Sequence, residues 1–277
     1  MPELPEVETV RLGLEKVTLG QKILGGEVLL ERSIAYPFPA IAFLSAVSGA
    51  ALAHWHRRGK YLLASLGQHG WLGVHLRMTG QLLWLYQQEP LQQHVRVRLF
   101  FEGGRELRFV DQRTFGQMWW VPPGIPPEKI ITGIQKLGAE PFSSEFSVDY
   151  FLNKLHKCKR PIKTALLEQS IVAGVGNIYA DEALFKAGIR PTKPCNILSY
   201  SEVERLHAAL IQVLQEALAL GGSTIRNFLT VEGVNGNYAG AAWVYNRTGK
   251  PCRICSAPIE RLKLAGRGSH FCPYCQQ

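Results

Sequence analysis

The chain has 277 residues, room for two domains of ordinary size, and 31 Lys and Arg against 22 Asp and Glu give it a formal charge of +9. That excess favours polyanionic partners. No apolar run approaches the roughly 20 residues that span a bilayer, and the acidic start is the reverse of a secretory leader, so a cytoplasmic chain is expected whose six cysteines are ligands or bystanders rather than disulfides.

The opening Met1-Pro2-Glu3-Leu4-Pro5-Glu6-Val7-Glu8-Thr9 admits two readings. Proline and glutamate suit any helix start, and Val7, Val10, Leu14 and Val17 follow at helical spacing. Alternatively, removal of Met1 makes Pro2 a terminal secondary amine, a nucleophile that no side chain supplies, with carboxylates beside it. On these residues alone the plain helix start is favoured.

The chain then turns strand-rich. Segments 61–66 and 71–76 flank Gly67-Gln68-His69-Gly70 as a hairpin, and 94–99 alternates so that His94, Arg96 and Arg98 share a face. A turn at Glu102-Gly103-Gly104 leads into 106–110. These features predict a β-sandwich with a leading helix over 1–121. The proline-rich run after Val121 marks a domain boundary and opens a linker over 122–149.

Beyond it the period becomes helical. Helices are expected over 163–170, 178–187 and 201–220, the last with a Ser199/Glu202 capping box and a Gly221-Gly222 stop. Between Asp149 and Glu168 stand Lys154, Lys157, Lys159, Arg160 and Lys163 with no acid, a run that reads either as a solvated face or as a phosphate-contacting one. Asn177 falls at a helix start, where it either caps the helix or helps bind an anion.

Near the C-terminus, Cys252-x-x-Cys255 and Cys272-x-x-Cys275 are separated by sixteen residues, the spacing of a four-thiolate zinc ribbon. Four sulfurs complete a tetrahedron and leave no position for substrate, so one structural Zn2+ is expected. Arg267 lies between the pairs, on a glycine-flanked hairpin, as a phosphate fork or an ordinary surface arginine. Lys60 follows two arginines, which suits proton transfer, though such lysines are usually surface charge. Met78, Arg113 and Phe115 are the residue types that fill the gap left when a base leaves a stack, though Met and Phe are more often core.

Together with Arg58-Gly59-Lys60-Tyr61, His75-Leu76-Arg77-Met78, Asp111-Gln112-Arg113-Thr114-Phe115-Gly116, Gly174-Val175-Gly176-Asn177-Ile178-Tyr179 and Ala265-Gly266-Arg267-Gly268, the N-terminal block resembles the formamidopyrimidine-DNA glycosylase family over the whole chain. The resemblance implies an α+β fold: a catalytic β-sandwich domain over 1–121, a helix-two-turns-helix DNA-binding domain over 150–230, a lesion-capping loop and lead-in over 231–250, and the zinc ribbon over 251–277. It implies a bifunctional DNA glycosylase and AP lyase that removes oxidised purines such as 8-oxoguanine and formamidopyrimidines. Pro2 would attack C1′ and form an iminium, Glu3 would serve the sugar ring oxygen as acid and base, and Glu6 would orient the site. Lys60 would assist β-elimination and Arg267 δ-elimination. Met78, Arg113 and Phe115 match the void-filling trio, and His75, His94, Lys159 and Asn177 match backbone-contacting positions.

The implied partner is double-stranded DNA carrying oxidised bases, bound by a monomer in the bacterial cytoplasm, at the nucleoid, with no membrane. The loop 231–243, which in the family closes over the extruded base, departs from the family pattern in lacking the usual Phe-Gln. Three rivals stand: an endonuclease VIII-like glycosylase for oxidised pyrimidines, a zinc-ribbon DNA-binding protein without catalysis, and a tautomerase using the terminal proline as base.

Overall fold

A computed structural model describes residues 1–223 and 237–277. The described residues fold as two units, those within 1–135 and 221–237 and those within 136–220 and 238–277.

In the first unit the elements run α1 (Leu4–Thr18), β1 (Ile23–Val28), β2 (Ile34–Tyr36), α2 (Ala40–Val47), β3 (His54–Arg58), β4 (Tyr61–Ser65), β5 (Trp71–His75), β6 (Gly80–Tyr86), β7 (Val95–Phe101), β8 (Arg105–Asp111) and β9 (Gln117–Val121), followed by short helices α3 (Pro127–Ile130) and α4 (Thr132–Gln135). Two sheets form, in the orders β1-β7-β8-β6 and β2-β9-β5-β4-β3. Their inner faces alternate as the sequence does: Val95, Val97, Leu99 and Phe101 point into the core while Arg96 and Arg98 point out. Val7, Val10 and Leu14 of α1 join Trp55, Leu62, Leu72, Val97 and Phe109 in one apolar core, which fixes the head of the helix against the sheets. The β4–β5 hairpin ends at Gly70, where φ is +89° and a Cβ would lie 2.0 Å from the Val121 carbonyl, so the turn requires glycine.

In the second unit come α5 (Val148–His156), α6 (Ile162–Leu166), α7 (Asn177–Ala187), α8 (Tyr200–Ala219), α9 (Tyr238–Ala241), β10 (Glu260–Leu264) and β11 (Arg267–Phe271). The capping box forms as expected: the Glu202 N–H donates to Ser199 Oγ at 3.3 Å and the Ser199 N–H to Glu202 Oε2 at 2.9 Å. The helix expected over 163–170 is only Ile162–Leu166, because Gln169 turns back to accept the Gly174 N–H and donate to the Val175 carbonyl, holding an irregular turn instead. Among the described residues no helix is long and apolar enough to cross a membrane.

Candidate active site and nucleic-acid interface

The head of α1 is buried, from Pro2 through Val7. The Glu6 carboxylate spans it, accepting the Glu3 N–H at 2.8 Å on Oε2 and the Ser223 N–H at 2.7 Å on Oε1. Gly222 makes room for that carboxylate, since a Cβ there would sit 2.8 Å from Glu6 Oε1. A carboxylate oxygen on each backbone donor makes Glu6 a strut rather than a free acid. Burial lowers the pKa of the chain-terminal amine, here that of Met1, and Lys60 and Arg113 lower it further while Glu3 and Glu6 raise it. These groups therefore share one electrostatic neighbourhood, in which the neutral, nucleophilic form of an amine is favoured. Lys60 is only 6 % exposed, so the surface-charge reading of this lysine does not hold.

A second cluster in the same unit gathers two loops. Met78 and Phe115 are 36 % and 52 % exposed and thus are not core residues, and the Arg113 guanidinium lies 5.0 Å from the Phe115 ring centre. What holds these loops was missed from sequence. The fully buried Asp111 carboxylate accepts the Thr79 hydroxyl on one oxygen and the Gly116 N–H, at 2.7 Å, on the other, and Thr79 accepts the Arg113 N–H at 3.0 Å. An acid two residues before Arg113 and a threonine after Met78 were the available signals. His75, at the end of β5, is buried, and its Nδ1 accepts the Arg77 N–H at 2.9 Å. Burial, with Arg77 and Lys60 adding, brings its pKa down to about 3, so the ring is neutral with its hydrogen on Nε2. His94 stands just before β7, outside the strand face expected to include it, because φ there is +72°. Among the described residues of this unit, Arg77, His94 and Thr114 are the non-glycine residues with positive φ, and all three flank these loops, the kind of place where backbone strain concentrates.

The second unit carries the remaining residues. The side chain of Asn177 does not cap α7: its Nδ2 donates to the Gly268 carbonyl at 3.1 Å, and its Oδ1 is buried without a hydrogen-bond donor. The helix start is thereby tied to the hairpin. Arg267 opens β11, exposed, after a turn at Ala265 and Gly266 whose φ values are +44° and +78°. The basic run divides. Lys163 is fully buried, donating to Asp181 Oδ1 at 2.5 Å and the Asn177 carbonyl at 2.7 Å, which removes it from any solvated face. Lys157 and Lys159 are exposed, and Arg160 pairs with Glu168 at 2.5 Å.

The metal-binding atoms of Cys252, Cys255, Cys272 and Cys275 lie within 4.8 Å of one another. The sulfurs of Cys255 and Cys272 are 3.4 Å apart and those of Cys252 and Cys275 3.9 Å. A tetrahedron of Zn–S bonds of about 2.3 Å has edges of about 3.8 Å, so the four thiols fit one zinc ion. Backbone N–H groups of Ile254 and Cys275 point at sulfurs, as they do around bound thiolates.

Three family models match in order: the formamidopyrimidine-DNA glycosylase N-terminal domain over residues 1–118, its H2TH domain over 137–229, and a zinc finger found in FPG and IleRS over 249–277. A formamidopyrimidine-DNA glycosylase of Trichormus variabilis is 62% identical over 276 residues, covering 100% of both chains. Two solved structures of Lactococcus lactis Fpg are similar throughout. One, a complex with DNA containing an abasic site, has a TM-score of 0.91 at 39% identity over 99% of each chain. The other, with N7-benzyl-Fapy-dG DNA, has a TM-score of 0.91 at 39% identity over 100% of each.

Proposed function

This chain belongs to the formamidopyrimidine-DNA glycosylase family, a bifunctional DNA glycosylase and AP lyase of base-excision repair, and we propose that it excises oxidised purines through the amine of Pro2. The observation that carries the reading is the buried helix head, where an amine is surrounded by Glu3, Glu6, Lys60 and Arg113 and its protonated form is disfavoured. With Met1 removed, the Pro2 nitrogen attacks C1′ of the damaged nucleotide, the base leaves with the electrons of the glycosidic bond, and the proton shed by the newly bonded nitrogen passes to the departing base. Glu3 then protonates the ring oxygen, the C1′–O bond opens, and an iminium joins Pro2 to the sugar. The iminium acidifies the 2′ proton, whose removal expels the 3′ phosphate, and a second elimination expels the 5′ phosphate. Lys60 serves the first elimination and Arg267 the second.

Reaching C1′ inside a duplex requires turning the nucleotide out, at a cost of a few kcal/mol. Exposed Met78 and Phe115, with Arg113 against the Phe115 ring, have the chemistry to occupy the emptied stack and offer donors to the orphaned base. His75 through Nε2–H, His94, Lys159 and the α7 N-terminus at Asn177 would hold phosphates. The zinc ion supplies no chemistry; it fastens the hairpin that presents Arg267. A monomer working on chromosomal DNA in the cytoplasm completes the reading.

Borohydride reduction tests it. The purified protein incubated with a duplex carrying 8-oxoguanine opposite cytosine is expected to give a covalent DNA adduct of the processed chain, and Pro2→Gly is expected to lose it. A full yield from Pro2→Gly, or an intact mass showing Met1 retained in an active enzyme, overturns the Pro2 chemistry. Preferred excision of thymine glycol overturns the purine assignment.

A further inference from the structure

We propose that Glu8 and Arg57 are positioning residues for the elimination step, setting Lys60 against the head of α1. The proposal rests on the role given to Lys60 above. Glu8 lies six residues beyond Pro2, about 9 Å along the chain direction of the helix. It uses both carboxylate oxygens. Oε1 accepts Nε and Nη2 of Arg11, each at 2.8 Å, while Oε2 accepts Arg57 Nε at 2.8 Å. Arg57, near the end of β3, spends a further N–H on the Gly59 carbonyl, Nη1 to O at 3.1 Å. Gly59 has a φ of +56° and immediately precedes Lys60.

A short chain of directional contacts therefore runs from the helix backbone through Glu8 and the Arg57 guanidinium to the turn residue next to Lys60. Its planar fork gives the link a fixed geometry, which a lysine at 57 could not reproduce. The pair is not an ordinary surface ion pair, since the side chains are only 10% and 19% exposed. Although burial pushes the Glu8 carboxyl upward, Arg11 and Arg57 hold its pKa below the usual range, so the link is ionic at neutral pH. A helix head carrying the amine and a turn carrying the lysine belong to different elements, and a displacement of about 1 Å between reacting groups can cost a large rate factor.

The experiment uses the full-length zinc-bound protein and a duplex with an abasic site. Iminium formation is read by borohydride trapping and strand cleavage by single-turnover gels, for wild type, Glu8→Gln, Arg57→Lys, Lys60→Ala and Glu8→Gln/Lys60→Ala. Glu8→Gln and Arg57→Lys are expected to slow cleavage about tenfold while trapping stays within about twofold, and Glu8→Gln is expected to add less than about twofold to Lys60→Ala. Equal losses in trapping and cleavage, or multiplying effects in the double variant, mean a merely structural role and overturn the proposal. Slow Lys60→Ala with wild-type Glu8→Gln sinks the pair alone. Wild-type cleavage by Lys60→Ala beside a slow Glu8→Gln sinks the Lys60 assignment, and the proposal with it.

Discussion

His75 shows how one side chain is committed to a single state by its neighbours. The Arg77 N–H occupies Nδ1 at 2.9 Å, and burial, with the charges of Arg77 and Lys60, brings the pKa down to about 3. The unfolded chain titrates near ~6.5. As pH falls from that value towards 3, the unfolded chain takes up a proton that the folded chain refuses, so the stability present above pH ~6.5 is lost at up to about 1.4 kcal/mol per pH unit. Urea unfolding at pH 7 and pH 5 reads this directly. His75→Asn keeps an acceptor for Arg77 without a titrating ring, and its loss of stability between those two pH values is expected to be about 2 kcal/mol smaller than that of the wild type. Equal losses would mean that His75 is charged in the folded protein, and the assignment of Nε2–H as a neutral phosphate donor would go with it.

At the scale of elements, the hairpin of β10 and β11 is held to α7 by side chains of that helix. Asp181 accepts the His270 N–H at 3.0 Å on Oδ2 and the Lys163 ammonium at 2.5 Å on Oδ1, while Asn177 donates to Gly268 at 3.1 Å. Lys163 and Asp181 are both buried, so the two halves of the pair are not equivalent to lose. Asp181→Ala takes the carboxylate away from a buried ammonium and leaves the His270 N–H without its acceptor, and is expected to cost about 3–5 kcal/mol. Lys163→Met leaves Asp181 with its two His270 donors, from the backbone and from Nδ1, and is expected to cost clearly less. Denaturant unfolding of the two variants decides the matter; a Lys163→Met loss as large as that of Asp181→Ala would show that depriving the buried carboxylate of its ammonium costs as much as depriving the ammonium of its carboxylate. The sequence spacing pointed to Asn177 and to the hairpin separately. Their connection was not legible, because it joins positions 91 residues apart through a backbone carbonyl.

Across the whole molecule, what could be read from the sequence followed from local periodicity and fixed spacing. The strand alternation expected over 94–99, the Ser199 capping box and the two Cys-x-x-Cys pairs all depend on neighbours within a few residues, and all formed except that the strand starts at Val95 and leaves His94 outside it. Lys163 was grouped with a run read as a solvated or phosphate-contacting face because its buried partner, Asp181, lies 18 residues away, and Asp111 and Glu8 were not singled out because their value comes from the loops and strands that fold onto them. The same distinction governs how the molecule should come apart. The first unit has its own core, from Val7 to Met118, with none of the four cysteines in it. In the second, a large helical core is separate from a small cluster of Phe185, Val244, Cys252, Ile259 and Cys272, so the hairpin has little apolar area to hold it without metal. Zinc extraction with a thiol-reactive agent and chelator is therefore expected to release the hairpin and lower the melting of the second unit, while the first unit keeps its transition. The measurement is differential scanning calorimetry before and after extraction, with two-state analysis applied to each transition and not to the whole chain. Duplex affinity should fall in parallel as Arg267 and the ties to Asn177 lose their support. An unchanged thermogram after complete zinc loss would mean that the Asp181 and Asn177 contacts alone fasten the hairpin and that the metal is dispensable to the fold.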